Sequence, residues 1–159
     1  MNKIIIGFDP GGTTGVAVMR LTDTDFKLEK VDQWKDPDNV WKKMLHLIKE
    51  YESEDLTILC ESFEHRPDVI EPDETPKYII KDLDRFVVPY YEEEFHYRLA
   101  SQAKVGIPPA KNGRPDRLKA FGLYQRGYRH ANDAIRHILS YALDKLRHRP
   151  LIEAGWGTK

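Results

Sequence analysis

Lys3-Ile-Ile-Ile-Gly-Phe-Asp9-Pro-Gly-Gly-Thr-Thr-Gly15 is the stretch from which the rest of the chain can be placed. Ile4, Ile5, Ile6 and Phe8 make the short apolar run expected of a buried strand, and the run ends on a carboxylate. A charge at the end of a core strand has to be solvated, paired or bound to a metal, because a bare buried carboxylate is strongly disfavoured. Pro10, Gly11 and Gly12 read as a tight turn in which the glycines permit close approach of another group, and Thr13 to Arg20 reads as the returning strand. Asp-Pro-Gly is also ordinary turn chemistry. The stretch alone therefore leaves two readings open, a functional carboxylate or an Asp that caps a hairpin.

The elements that follow decide between them. Phe26 to Trp34 predicts a third strand and so an antiparallel meander. Asp38 or Asn39 offers an N-cap to a helix in which Val40, Trp41, Met44, Leu45, Leu47, Ile48 and Tyr51 recur at helical spacing. Leu56 to Cys60 is a second short apolar strand, and it too ends on a carboxylate, Glu61. A polar, proline-punctuated loop over 62–75 carries Phe63, Glu64, His65 and Arg66. Thr75 as cap and Pro76 at the first helical position open another helix, with Ile79, Ile80, Leu83, Phe86 and Val87 inward, and Pro89 closes it. Phe95, Tyr97 and Leu99 alternate with His96 and Arg98, which predicts a half-buried strand. Residues 101–116 read as a basic, Gly- and Pro-rich loop with Lys104, Lys111 and Arg114. A short helix is expected near Arg117 to Tyr124, and a long one from about His130 to Arg147. The long helix has one apolar stripe through Ala131, Ala134, Ile135, Ile138, Ala142 and Leu146, and a polar one through Arg129, His130, Asp133, Arg136, His137 and Ser140. Residues 1–150 then make one domain, and 151–159 read as a loose tail.

Composition narrows the class. The 159 residues suffice for one domain with a proper core, and 40% hydrophobic with 32% charged residues is the balance of a soluble protein. No apolar run reaches the length of a membrane span and no signal peptide is visible, so the expected location is the cytoplasm, with no membrane partner. Cys60 is the only cysteine, which excludes an internal disulfide and a zinc site built on thiolates. The near-neutral net charge hides an asymmetry. Residues 1–94 hold 12 Lys and Arg against 22 Asp and Glu, whereas residues 95–159 hold 13 against 4. A basic second portion suits a polyanion, and Lys104, Lys111, Arg114 and Lys119 are its candidate phosphate contacts.

Asp9, Glu61 and Asp133, with His130 three residues before Asp133 on the same helix face, form a set of hard, oxygen-rich ligands suited to Mg²⁺ or Mn²⁺. Two such ions about 4 Å apart can activate water and stabilise the leaving oxygen in phosphodiester hydrolysis.

The run around Asp9, the strand ending in Glu61 and His130-Ala-Asn-Asp133-Ala resemble the RuvC group of Holliday-junction resolvases, within the ribonuclease H-like superfamily. Arg117-Leu-Lys, Gly122-Leu-Tyr and Arg129 to His137 resemble more closely the RuvC-like endonucleases encoded by bacteriophages. The resemblance implies a mixed five-stranded sheet, three strands antiparallel and two parallel, flanked by helices. It implies nicking of branched DNA, whether four-way junction, flap or fork, usually by a homodimer using Mg²⁺ or Mn²⁺, two ions to a site. On this resemblance Asp9, Glu61, His130 and Asp133 are the catalytic metal ligands, His130 rather than His137 completes the set, and His137 is a DNA or solvent contact. The family carries a base-stacking aromatic three residues after the matching Glu; here Glu64 holds that position and the aromatic is Phe63, one residue earlier. Two rival readings use the same residues. Asp9-Pro-Gly-Gly-Thr-Thr-Gly also resembles the phosphate loop of actin-like and sugar-kinase ATPases, which need a second domain that this length does not supply, and a non-catalytic junction-binding module would keep the fold without the chemistry.

Overall fold

The computed structural model of the chain describes residues 1–62 and 74–157. Strands β1 (Asn2–Asp9), β2 (Thr14–Thr22) and β3 (Phe26–Trp34) form the antiparallel meander, with Asp9 opposite Gly15 at its first turn. Helix α1 (Val40–Tyr51) leads to β4 (Asp55–Ser62), and α2 (Thr75–Phe86) leads to β5 (Phe95–Leu99). Both β4 and β5 run parallel to β1, giving one mixed sheet in the order β3-β2-β1-β4-β5, the five-stranded arrangement that the resemblance implies. Helices α3 (Ala100–Gly106), α4 (Arg117–Ala120), α5 (Arg129–Asp144) and α6 (Arg149–Gly157) follow. No helix among the described residues is long and apolar enough to cross a membrane.

β1 lies at the centre of the sheet and is covered on both faces, which is why its sequence is a continuous apolar run rather than an alternating one. Ile4, Ile6 and Phe8 pack with Val40, Met44 and Ile48 of α1 and Ile79 and Leu83 of α2. Ile5, with Ala17, Met19 and Leu59, packs against Ile135, Ile138, Leu139 and Ala142 of α5. Successive strand side chains point to opposite faces. Asp9 therefore falls on the face of Ile5, and Glu61 on the face of Leu59, so both carboxylates are delivered to the α5 side.

Two glycines let α5 lie that close. A Cβ on Gly15 would stand 2.0 Å from the carbonyl oxygen of His130, and one on Gly7 would stand 2.8 Å from that of Ala134. This corrects the weight given to Gly11 and Gly12. Both have negative φ, Gly12 has nothing near it, and Gly11 meets only the backbone of Thr13 at 3.3 Å.

Three other expectations change. In β5 the alternation holds, but Tyr97 and Leu99 are exposed and Arg98 is buried; the Phe95 face runs out to the sheet rim, where the Tyr97 hydroxyl donates to Asp84, while Arg98 lies under α5. The basic loop begins later than expected, because Ala100–Gly106 is helical and packs against α5. Residues read as a loose tail form α6, whose Leu151 is fully buried and whose Gly155 sits against Phe121.

Candidate active site

Asp9 is the last residue of β1 and Glu61 the penultimate residue of β4, each one step beyond Phe8 and Cys60, the last pair between these two strands. Their carboxyl groups share a hydrogen bond. Asp9 is only 9% exposed, and burial, followed by the negative charges of Glu61 and Asp133, pushes its pKa up to about 9. Burial pushes Glu61 upward too, but the hydrogen bond and charge of His137 outweigh it and hold Glu61 below its usual value. Burial and the neighbouring charges thus favour a protonated Asp9 beside an ionised Glu61.

His137 Nε2 lies 2.8 Å from Glu61 Oε2, and the imidazole is 1% exposed. An ionised Glu61 can only accept, so Nε2 carries the proton of that bond, while Nδ1 is buried without a partner. His137 is therefore neither a solvent nor a surface contact. It is a buried brace for Glu61. His130, half-exposed, brings Nδ1 to 4.0 Å from Asp9 Oδ2, beyond hydrogen-bond length. The N-terminus of α5 is anchored from β3, where the Gln33 side-chain oxygen accepts from the backbone N–H of His130 at 2.9 Å and of Ala131 at 3.4 Å.

Asp133 takes part in a different arrangement. Arg136 Nη1 donates to Asp133 Oδ1 at 2.6 Å, and Arg136 Nη2 donates to Asp116 Oδ2. Asp116 also caps α4, with its Oδ1 accepting from Leu118 N at 2.9 Å. Arg136 and Asp116 are both buried, so this is a buried ion chain with Asp133 at its outer end. Asp133 is near enough for Asp9 to feel its charge. Among the described residues, however, no three His, Cys, Asp or Glu side chains converge tightly enough to hold an ion together. The expected four-residue set is therefore divided: Asp9 and Glu61 in contact, His130 just beyond, Asp133 turned to Arg136.

Of the expected phosphate contacts, Lys104 on α3 is close enough that its charge favours the ionised form of both Asp9 and Glu61. Lys111 and Arg114 face each other across a tight turn through Asn112 and Gly113, both with positive φ, and are exposed. Lys119 on α4 lies 5.0 Å from the centre of the exposed Tyr124 ring. Phe63 lies outside the described residues. Arg136, Asp116 and Gln33 were not singled out as site residues by sequence, and His137 was expected only as a DNA or solvent contact. The only available signal was that Arg136 and His137 follow Asp133 by three and four residues, the spacing of one helix face.

No protein-family model matches the chain, and no curated protein matches it. Among solved structures, Thermus thermophilus RuvC is similar at a TM-score of 0.68 and 12% identity, over 91% of this chain and 97% of that one. T. thermophilus RuvC in complex with Holliday junction substrate is similar at a TM-score of 0.64 and 14% identity, over 93% and 97%. The fowlpox virus Holliday junction resolvase gives a TM-score of 0.46 at 16% identity, over 87% and 96%, too low to add weight. The chain has the fold of RuvC.

Proposed function

We propose that this chain is an endonuclease that nicks phosphodiester bonds in branched DNA, four-way junctions among its substrates, as a homodimer using Mg²⁺ or Mn²⁺. The observation that carries the reading is the pair of touching, largely buried carboxyls at the ends of two adjacent strands, one of them protonated well above its usual range. Such a pair is disfavoured unless something positive joins it, and its oxygen donors suit a hard divalent cation. Asp9, Glu61 and Asp133 would hold that cation, with His130 at the edge of the set. When bound, the metal supplies charge for the scissile phosphate and activation of the attacking water.

The residues of the chain do the rest. His137 donates to one oxygen of Glu61 and keeps that carboxylate ionised and oriented. Arg136 engages Oδ1 of Asp133 and leaves Oδ2 for a ligand, while Asp116 balances the guanidinium charge from behind. To hold the cation Asp9 would have to give up its proton, so cation binding would tighten as pH rises. Lys104 presents a positive charge beside the carboxyl pair, where a phosphate must approach. The fold is shared with a RuvC captured on Holliday junction substrate, which makes a four-way junction the first substrate to try. The test compares Mg²⁺-dependent nicking of a four-way junction, a flap, a splayed fork and linear duplex. Preference for one or more branched forms supports the reading, and equal or absent cleavage of all four contradicts it.

A further inference from the structure

Arg98 is a buried cation without an anion. It is the register partner of Glu61 on β5, it is 6% exposed, and no carboxylate lies within ion-pair distance of it among the described residues. Its Nη2 donates to Ser140 Oγ at 3.2 Å, its guanidinium lies 5.5 Å from the centre of the Tyr141 ring, and its Nε has no partner. A buried guanidinium is normally matched by a carboxylate or phosphate, as Arg136 is twice over. Arg98 instead lines a cavity of about 450 Å³ between α3 and the end of α5, together with Gln102, Ser140, Asp144, Lys145 and Arg147. The cavity has three cations and one carboxylate. Asp144 is exposed, makes its own contact with Lys145 at 3.9 Å, and affects Arg98 only through its charge. Lys145 and Arg147 alone would be unremarked, since cations commonly favour a helix C-terminus. Arg98 comes from the sheet and has no such reason to be there. Arg147 adds a second oddity. It occupies the left-handed position that ends α5, with φ at 51° and the His148 N–H reaching back to Ala142 O, a place where glycine is preferred.

We propose that this cavity binds a phosphate group, and that in use the group is a backbone phosphodiester flanking the one at Asp9 and Glu61. The placement fits. Arg98 lies one strand over from Glu61, about 5 Å away in the pairing direction, and Ser140 lies about one helical turn beyond His137, so a strand crossing the carboxyl pair toward the β5 edge passes over the cavity. The phosphate supplies the anion that Arg98 lacks, the Gln102 side chain adds an amide donor, Ser140 holds Arg98 in place while its hydroxyl donates to Gln102 O at 2.8 Å, and Lys145 and Arg147 lie on the exposed side. The assignment to DNA rests on the nuclease reading; the affinity for phosphate does not.

Two arms test it separately. In the first, inorganic phosphate is titrated into the free protein and followed by NMR at Arg98 Nε–H and the amides of Gln102 and Ser140, against sodium chloride at matched ionic strength. Phosphate-specific shifts are expected, weakened about tenfold in Arg147→Gly, the loss of one charged hydrogen bond. That variant removes the cation while placing the preferred residue at a left-handed position, so its melting temperature should not fall. Absence of phosphate-specific shifts overturns the site. In the second arm, metal-free Asp9→Asn protein is bound to four-way junctions carrying one neutral methylphosphonate at each successive phosphate around the expected nick. One flanking position should lose affinity, and adding Arg147→Gly should abolish that loss. Phosphate shifts with no position coupled to Arg147 would assign the cavity to free phosphate and overturn the backbone role. Failure of the protein to bind junctions at all would refute the nuclease reading and the DNA assignment, leaving the first arm to decide the cavity.

Discussion

Replacing Asp9 with Asn should make the metal-free protein more stable, although it removes a candidate catalytic group. Folded, Asp9 holds its proton up to about pH 9; unfolded, it ionises near its ordinary value of 3.8. Between those two values the unfolded state has lost a proton that the folded state keeps, so stability falls as pH rises, by up to about 1.4 kcal/mol per pH unit. By pH 7 that amounts to about 4 kcal/mol as a ceiling. Glu61 works the other way: its lowered pKa contributes stability above its unfolded value that is lost on acidification, and the hydrogen bond they share couples the two. A net gain of about 2–4 kcal/mol at pH 7 follows for Asp9→Asn, or about 5–10 °C in melting temperature for a chain of this size. The amide cannot ionise, and it can still donate to Glu61. Urea unfolding in EDTA at pH 4.5, 7 and 9 measures this. The variant's advantage should be small at pH 4.5 and grow with pH, and Mg²⁺ should stabilise the wild type while leaving the variant nearly unmoved. A variant equal to or weaker than wild type at pH 7, or an advantage that does not grow with pH, would refute the account of the carboxyl pair.

Gly15→Ala should unseat α5, since its methyl would stand 2.0 Å from the His130 carbonyl; a loss of several kcal/mol or failure to fold is expected by chemical denaturation, whereas Gly12→Ala should be mild. Arg136→Met strands buried Asp116 without its partner and should cost about 3–5 kcal/mol, with Arg136→Lys recovering part of it in the same assay. His137→Ala should lower single-turnover nicking by about 10–100-fold through loss of the Glu61 brace, with a matching loss in Mg²⁺ affinity; unchanged metal affinity would remove His137 from the site.

The order of the five strands and of α1, α2, α4 and α5 was legible from local signals, among them apolar runs that end abruptly on Asp9 and Glu61 and helical spacing from Val40, Ile79 and Ala131 onward, whereas α3 and α6 were read as loop and tail. Once the strands are placed, strand alternation alone sends Asp9 and Glu61 to the same face. What could not be read depends on which distant segment covers a given side chain. The polar stripe of α5 carries no sign in sequence of how far it is covered, yet Arg136, His137 and Ser140 are buried because α3, the α4 cap and the end of β4 close over that side. Arg98 was hidden for the same reason. Its strand alternates as expected, but burial is set by α5 above it and not by the pattern along β5. Gln33, acting on the start of α5 from 97 residues away, leaves no local trace at all. The helix over 149–157 was missed because nine residues beginning Arg-Pro carry too short a pattern to stand out before Leu151 finds its pocket.

The most direct test of the central claim is the single-turnover nicking of a four-way junction in Mg²⁺ by wild type, Asp9→Asn and Glu61→Gln, with junction affinity measured on the same samples. The account predicts rapid nicking by wild type that stops in EDTA, and losses of at least about a thousandfold in both variants at undiminished affinity, because the damage falls on the carboxyl pair and not on the binding surface. Nicking that survives EDTA or either substitution would contradict it.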